Sequence, residues 1–127
     1  MNAMMAMQQY QRVNVQAQVA EASPHRLIQM LMEGGLERMA QAQGAMMRDQ
    51  APLKGELISK SIAIIGGLRE ALDPTQGGEI AMNLDRLYEY MIARLIEANK
   101  VNDPALVSEV AGLLREVKSG WDAIAPV

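Results

Sequence analysis

His25 is the only histidine in the chain, and there is no cysteine. A general base needs a partner that orients it and a pocket that holds its substrate. Without a thiol, a cysteine–histidine pair is not available. His25 stands second in a helical pattern that opens at Pro24, so solvent exposure or a first-turn polar contact is its expected role. A metal site inside a helical bundle uses inward-facing Glu-x-x-His pairs, and the sequence contains none. The run "GELISKS" from Gly55 superficially matches a phosphate-binding loop. It lacks the Gly before Lys60 and lies within a helical pattern. Gly77 and Gly78 could present free helix N–H groups to an anion, but Glu79 already serves that end. Tyr88 and Tyr90 fall near opposite sides of one helix, and Trp121 lies on an apolar stripe that reads as packing. The expectation is a protein that is not an enzyme, with no catalytic residues, no cofactor and no metal.

Composition narrows the class further. The chain has 127 residues, half of them apolar, enough for one globular domain with a real core. It has no Phe and one Trp but 11 Met. Core volume must therefore come from Leu, Ile, Val, Met and Ala, which suits helix packing better than a β-sandwich. Met is flexible and polarizable and is over-used on surfaces that accept peptide helices. A formal net charge of −3 and a pI of about 5.1 argue against nucleic acid, which demands a basic stripe. The N-terminal "MNAMMAMQQY" has neither the basic start nor the apolar core of a signal peptide. No apolar run approaches the ~18 residues of a membrane span. A cytoplasmic protein that does not insert into membranes is expected.

Prolines punctuate the chain. Ser23 reads as an N-cap and Pro24 as the first residue of a helix running to about Met47. Pro52 opens a second helix that ends before "DPTQGG". The glycine pair then breaks the chain, and a third helix runs from Glu79. Asp103 caps a fourth that starts at Pro104, where Ser119 and Gly120 are expected to fray or bend the last turns. Helices of about twenty residues with short links imply antiparallel neighbours, hence an all-α, up-down-up-down four-helix bundle over residues 23–127.

The faces of these helices carry more apolar residues than one seam needs. On the fourth, Leu106, Val110, Leu113, Leu114, Val117, Trp121 and Ile124 make one stripe. The second has Leu53, Leu57, Ile64 and Leu68 in one stripe and Ile58, Ile62, Ile65 and Leu72 in another. The third adds Tyr88, Ile92 and Ile96 beside Ile80, Leu84, Leu87, Met91 and Leu95. On the first, Met32, Leu36 and Met39 extend the arc of Leu27, Met30 and Leu31. Either the core is thick or the surplus surface is covered, by the chain itself or by a partner. One segment fits the second case. In "YQRVNVQAQV", Tyr10–Val19, Val13, Val15, Ala17 and Val19 alternate with polar residues, yet no second strand exists to pair with it. Residues 1–22 thus read as an N-terminal capping segment, with Tyr10 as anchor and Val13 and Val15 adding contact; the spacing of Tyr10, Val13 and Ala17 at i, i+3 and i+7 equally permits a short helix.

Several stretches together resemble the flagellar secretion chaperones, the FliS family. They are "YQRVNV" at Tyr10, "ASPHRLIQML" at Ala22, "KGELISKSIAII" at Lys54, "GGEIAMNLDRLYEYMI" at Gly77 and "NDPALVSEVAGLLREVKSGWDAI" at Asn102. The resemblance implies a four-helix bundle that binds the C-terminal segment of flagellin in apolar grooves, prevents its premature polymerisation and assists its delivery to the flagellar type III export apparatus. It further implies that the chaperone's own N-terminal segment occupies part of that surface when flagellin is absent. The expected groove residues are Met32, Leu36, Met39, Ile58, Ile62, Ile65, Tyr88, Ile92 and Ile96. The expected partners are flagellin and, once loaded, the flagellar export gate; the free chain is expected to be mostly monomeric, with at most a weak homodimer. Family members often carry an aromatic where Met32 stands and an acidic or amide residue where Gly66 stands. The alternative is a generic helical-bundle adaptor or dimerisation module.

Overall fold

In a computed structural model, residues 21–124 form four helices: α1 (Pro24–Met47), α2 (Ala51–Glu70), α3 (Pro74–Val101) and α4 (Pro104–Ala123). The segment Tyr10–Val19, with Tyr10, Val13 and Val15, lies outside the described residues. Each helix has proline in its first two positions, where the missing N–H has no intrahelical partner to lose. Ser23 accepts from the Arg26 N–H at 3.1 Å, Asp73 from Thr75 and Gln76, and Asp103 from Ala105. Only α2 lacks a side-chain cap; Gln50 makes none.

The links are Arg48–Gln50, Ala71–Asp73 and Asn102–Asp103. Two of them turn through left-handed residues, Asp49 and Asn102, both at φ 54°. Short polar side chains tolerate that region better than most. Such links force sequential neighbours to pack antiparallel. α1 lies against α2 and α4, and α3 against the same two, giving a square up-down-up-down bundle.

The third helix differs from its expected start. It opens at Pro74, one turn before the break, because Asp73 and Pro74 form a competent cap. The break itself falls at Gly78, whose φ of 55° and ψ of −129° suit glycine alone. A Cβ on Gly77 would stand 2.7 Å from the Ala81 Cβ. At the far end α4 continues regularly through Ser119 and Gly120 to Ala123.

The core is built from Met32, Met39, Ile58, Ile65, Met91, Leu95 and Leu114, all essentially inaccessible. Each contributes roughly 1.5–3 kcal/mol by leaving water. The buried Ser61 hydroxyl donates to the Leu57 carbonyl at 2.9 Å, so it costs little. The core is centred differently from the stripes read off the sequence. Ile80 is 71% exposed and Leu27 37%, whereas Tyr88 is 3% exposed. In a square bundle each helix touches two neighbours, so a wide arc is buried, and its centre depends on how the helices are rotated.

Candidate functional site: the apolar end cavity and the α2–α3 face

At the end of the bundle where α1 and α3 begin and α2 and α4 finish, a cavity of about 390 Å³ opens between the helices. Its walls include Ile28, Leu68, Leu72, Ile80, Trp121 and Ile124, with Tyr88 among the deeper residues. Glu116 is its one charged lining residue among those described. Ile80 and Ile124 are both more than half exposed at this end. A cavity of this size and character suits apolar side chains delivered by a peptide segment better than a polar metabolite.

One edge of the cavity is closed by a reciprocal clamp. The His25 Nε2 donates to the Trp121 carbonyl at 2.9 Å, and the Trp121 Nε1 donates to the His25 carbonyl at 3.0 Å. The two rings stack with centroids 4.8 Å apart. His25 therefore does make a polar contact in its first turn, but to α4 rather than locally, tying the start of α1 to the end of α4. Trp121 packs, as expected, against this histidine and the core edge. Gln29 adds a bond to Asp122 at 2.8 Å. Lys118, hydrogen-bonded to Asp122, is the main reason that carboxyl lies below its ordinary range.

The other candidate surface runs along α2 and α3. Arg69 on α2 holds Asp85 on α3 at 2.6 Å and reaches Glu89 at 3.5 Å. Its hydrogen bond holds the Asp85 carboxyl below the usual range. Helical spacing carries this side of α2 back to Ile62, seven residues before Arg69, and this side of α3 on to Ile92 and Ile96. Lys54 closes the far end on the Asn99 carbonyl and the Asn102 side chain, both at 3.2 Å. Gly66 lies on this side of α2, and a Cβ placed there would find nothing within 4 Å. Among the described residues, no close approach explains that glycine.

The nine expected groove residues divide by depth. Met32, Met39, Ile58, Ile65 and Tyr88 are core residues. Leu36, Ile62 and Ile92 are partly buried and packed against the core, and Ile96 is 56% exposed. The last four can touch a ligand on this conformation of the bundle. Met32 and Tyr88 also line the end cavity, so a ligand entering it meets them, whereas Met39, Ile58 and Ile65 lie beneath the surface. Met82, on the α2 side of α3, and Ile80 are exposed apolar residues that the sequence reading did not assign to a binding surface. Both lie just past the glycine break, but Ala81 between them is 6% exposed, so their exposure follows from the side of α3 they occupy and not from the break itself.

The α3–α4 edge is polar by contrast. The Tyr90 hydroxyl donates to Glu109 at 2.5 Å, and Arg94 donates to the same carboxylate at 2.8 Å. These bonds, Tyr90 first, hold Glu109 below its ordinary range, while the Tyr90 phenol is raised by its bond to Glu109. Burial raises the Tyr88 phenol. Among the described residues no cluster of three metal-ligating side chains exists. No helix among them is long and apolar enough to cross a membrane.

Comparison with known proteins agrees with this architecture. The model of the family described as flagellar protein FliS matches residues 6–127. The flagellar secretion chaperone FliSB of Pseudomonas aeruginosa is 69% identical over 98% of both chains. The flagellar secretion chaperone FliS of Vibrio cholerae is 44% identical over 95% of this chain and 89% of its own. The Bacillus subtilis FliS, also a flagellar secretion chaperone, is 31% identical over 92% and 86%. With a helical bundle, apolar surface at its end and along α2–α3, and a family match spanning nearly its whole length, the chain belongs to the FliS family of flagellar secretion chaperones.

Proposed function

We propose that this chain is a cytoplasmic export chaperone, not an enzyme, that binds the C-terminal segment of flagellin. It keeps that segment from polymerising early and presents it to the flagellar export apparatus, with the export gate as a second partner of the loaded complex. The observation that carries the reading is apolar surface left open on a chain whose relatives are flagellar secretion chaperones. Leu36, Ile62, Ile92 and Ile96 contact the ligand, and Met32, Met39, Ile58, Ile65 and Tyr88 form the floor beneath them. The ligand binds by laying the apolar faces of short helices on this surface. Residues 1–22 act as a cap on the free bundle of residues 23–127, with Tyr10, Val13 and Val15 in contact.

Calorimetry with a peptide of the flagellin C-terminal segment tests this. One-to-one binding is expected, with a negative heat-capacity change and a gain of helix by circular dichroism. No binding at tens of micromolar, a limit of about −6 kcal/mol, would remove the chaperone reading. Light scattering of the free chain distinguishes the adaptor alternative, which requires a stable dimer without ligand.

A further inference from the structure

Trp121 stands at the edge of an apolar cavity of about 390 Å³, space enough for its own ring. Turned inward, the indole would cover walls that Ile28, Leu72 and Ile80 present to solvent, and apolar area that leaves water is stabilising. The ring is held at the edge instead, by contacts with His25. The imidazole lies flat against the indole, with planes 13° apart and centroids 4.8 Å apart. The Trp121 Nε1–H is bound to the His25 carbonyl at 3.0 Å. Inside the cavity that N–H would meet apolar walls whose polar side chains, among the described residues, are Tyr88 and Glu116. A buried donor left without an acceptor is costly.

Fastening the helix ends does not depend on the imidazole. One turn further along α1, Gln29 bonds to Asp122 at 2.8 Å, and the Trp121 Nε1 bond uses only the His25 backbone. The imidazole itself supplies a flat face for the indole and an Nε2–H for the Trp121 carbonyl at 2.9 Å. That carbonyl lies in the last turn of α4, where carbonyls run short of helical donors. Its other partner is the Ile124 N–H at 3.1 Å. The Nε2 bond thus fixes the backbone from which the indole projects, and the stacked face fixes the ring.

Resting on the chaperone reading above, we propose that His25 is a positioning residue: it holds Trp121 out of the end cavity and so keeps that cavity open to an apolar side chain of the bound segment. A seat formed in advance spares the ligand the displacement of a ring, which is the advantage of preorganisation.

Trp121 is the only tryptophan, so its emission follows the ring without a label. The experiment compares the full-length wild type with His25→Ala, His25→Leu and His25→Gln. It reads emission wavelength and acrylamide quenching, because a neighbouring imidazole changes intensity by itself. His25→Ala should shift emission to the blue and lower quenching severalfold as the ring turns inward. His25→Leu keeps bulk but neither the donor nor the flat face, so it should follow Ala, and it decides the matter if circular dichroism shows the Ala variant unfolded. His25→Gln keeps a donor for the Trp121 carbonyl and a flat amide near the ring, so it should stand close to wild type. A red shift with stronger quenching in the folded Ala or Leu variant overturns the proposal, since the histidine then only tethers the helix ends. Unchanged emission, or a Gln variant that follows Ala, overturns it as well. In a parallel titration with the flagellin peptide, His25→Ala should bind roughly tenfold more weakly, the loss of one apolar side chain from the contact. Binding at wild-type strength takes the cavity out of the ligand's path and overturns the proposal. A peptide that binds none of these proteins removes the chaperone reading instead, while the emission shift still decides what His25 holds.

Discussion

Replacing Ile65 and Ile96 separately distinguishes the residues that hold the bundle together from those that face a partner. Ile65 is 0% exposed and Ile96 56% exposed. Ile65→Ala removes buried methylene and methyl groups and leaves a cavity among close-packed neighbours, at a cost of about 2–5 kcal/mol. For a bundle of about a hundred ordered residues, each kcal/mol lowers Tm by roughly 4–8 °C. Ile96→Ser removes a side chain that is mostly in water already, so stability should change by about 0.5 kcal/mol or less. Binding should respond in the opposite order. Ile96→Ser deletes a contact that the ligand alone completes and should weaken flagellin binding by roughly tenfold, the effect of about 1.4 kcal/mol. At temperatures where Ile65→Ala is still folded, its affinity should stay near wild type. Urea unfolding and calorimetry on the same preparations read both quantities. If Ile96→Ser unfolds the protein as Ile65→Ala does, the exposed face is structural. If it binds flagellin like the wild type, the ligand lies elsewhere on the bundle.

Gly66→Ala should stabilise the free chain by up to about 1 kcal/mol in urea unfolding, since helix propensity improves and a Cβ meets nothing within 4 Å. The same change should weaken flagellin binding if the ligand backbone crosses α2 there. Gly78→Ala should lower stability by about 1–3 kcal/mol, because φ 55° and ψ −129° are open to glycine alone; thermal unfolding measures it, and a neutral result refutes the strained break. Asp85, Glu109 and Asp122 all have folded-state values below their ordinary ones. Their contribution is therefore complete above the unfolded carboxylate range of about 4 and is lost as pH falls through the lower folded values. Urea titrations from pH 6 to below 4, at about those values, should show stability falling on acidification, and less steeply in Glu109→Gln.

Much of the fold was legible before any coordinates. Ser23-Pro24 and Asp103-Pro104 mark their helix starts because capping and the missing proline N–H are local chemistry. Such signals depend on neighbours in sequence and survive any packing. The glycine break at Gly78 was equally legible, although the helical turn ahead of it was hidden by the same "DPTQGG" run that reads as a loop. The width of the apolar arcs on α1, α2 and α3 was also written in the spacing of Leu, Ile and Met.

Which part of each arc is wet was decided only by assembly. Met32 and Tyr88 went to the core while Ile80 stayed in water and Leu27 only partly left it, because rotation of a helix about its axis is set by both of its neighbours at once. Periodicity along one helix carries no information about the other two. The clamp between His25 and Trp121 is the same kind of fact, joining residues 96 positions apart through backbone carbonyls that any sequence possesses. The end cavity has its walls on all four helices, so no single stretch encodes it. The sequence by itself determined the helices, their order and the surplus of apolar surface. Tertiary packing decided where that surplus opens, since exposure is a property of neighbours in space.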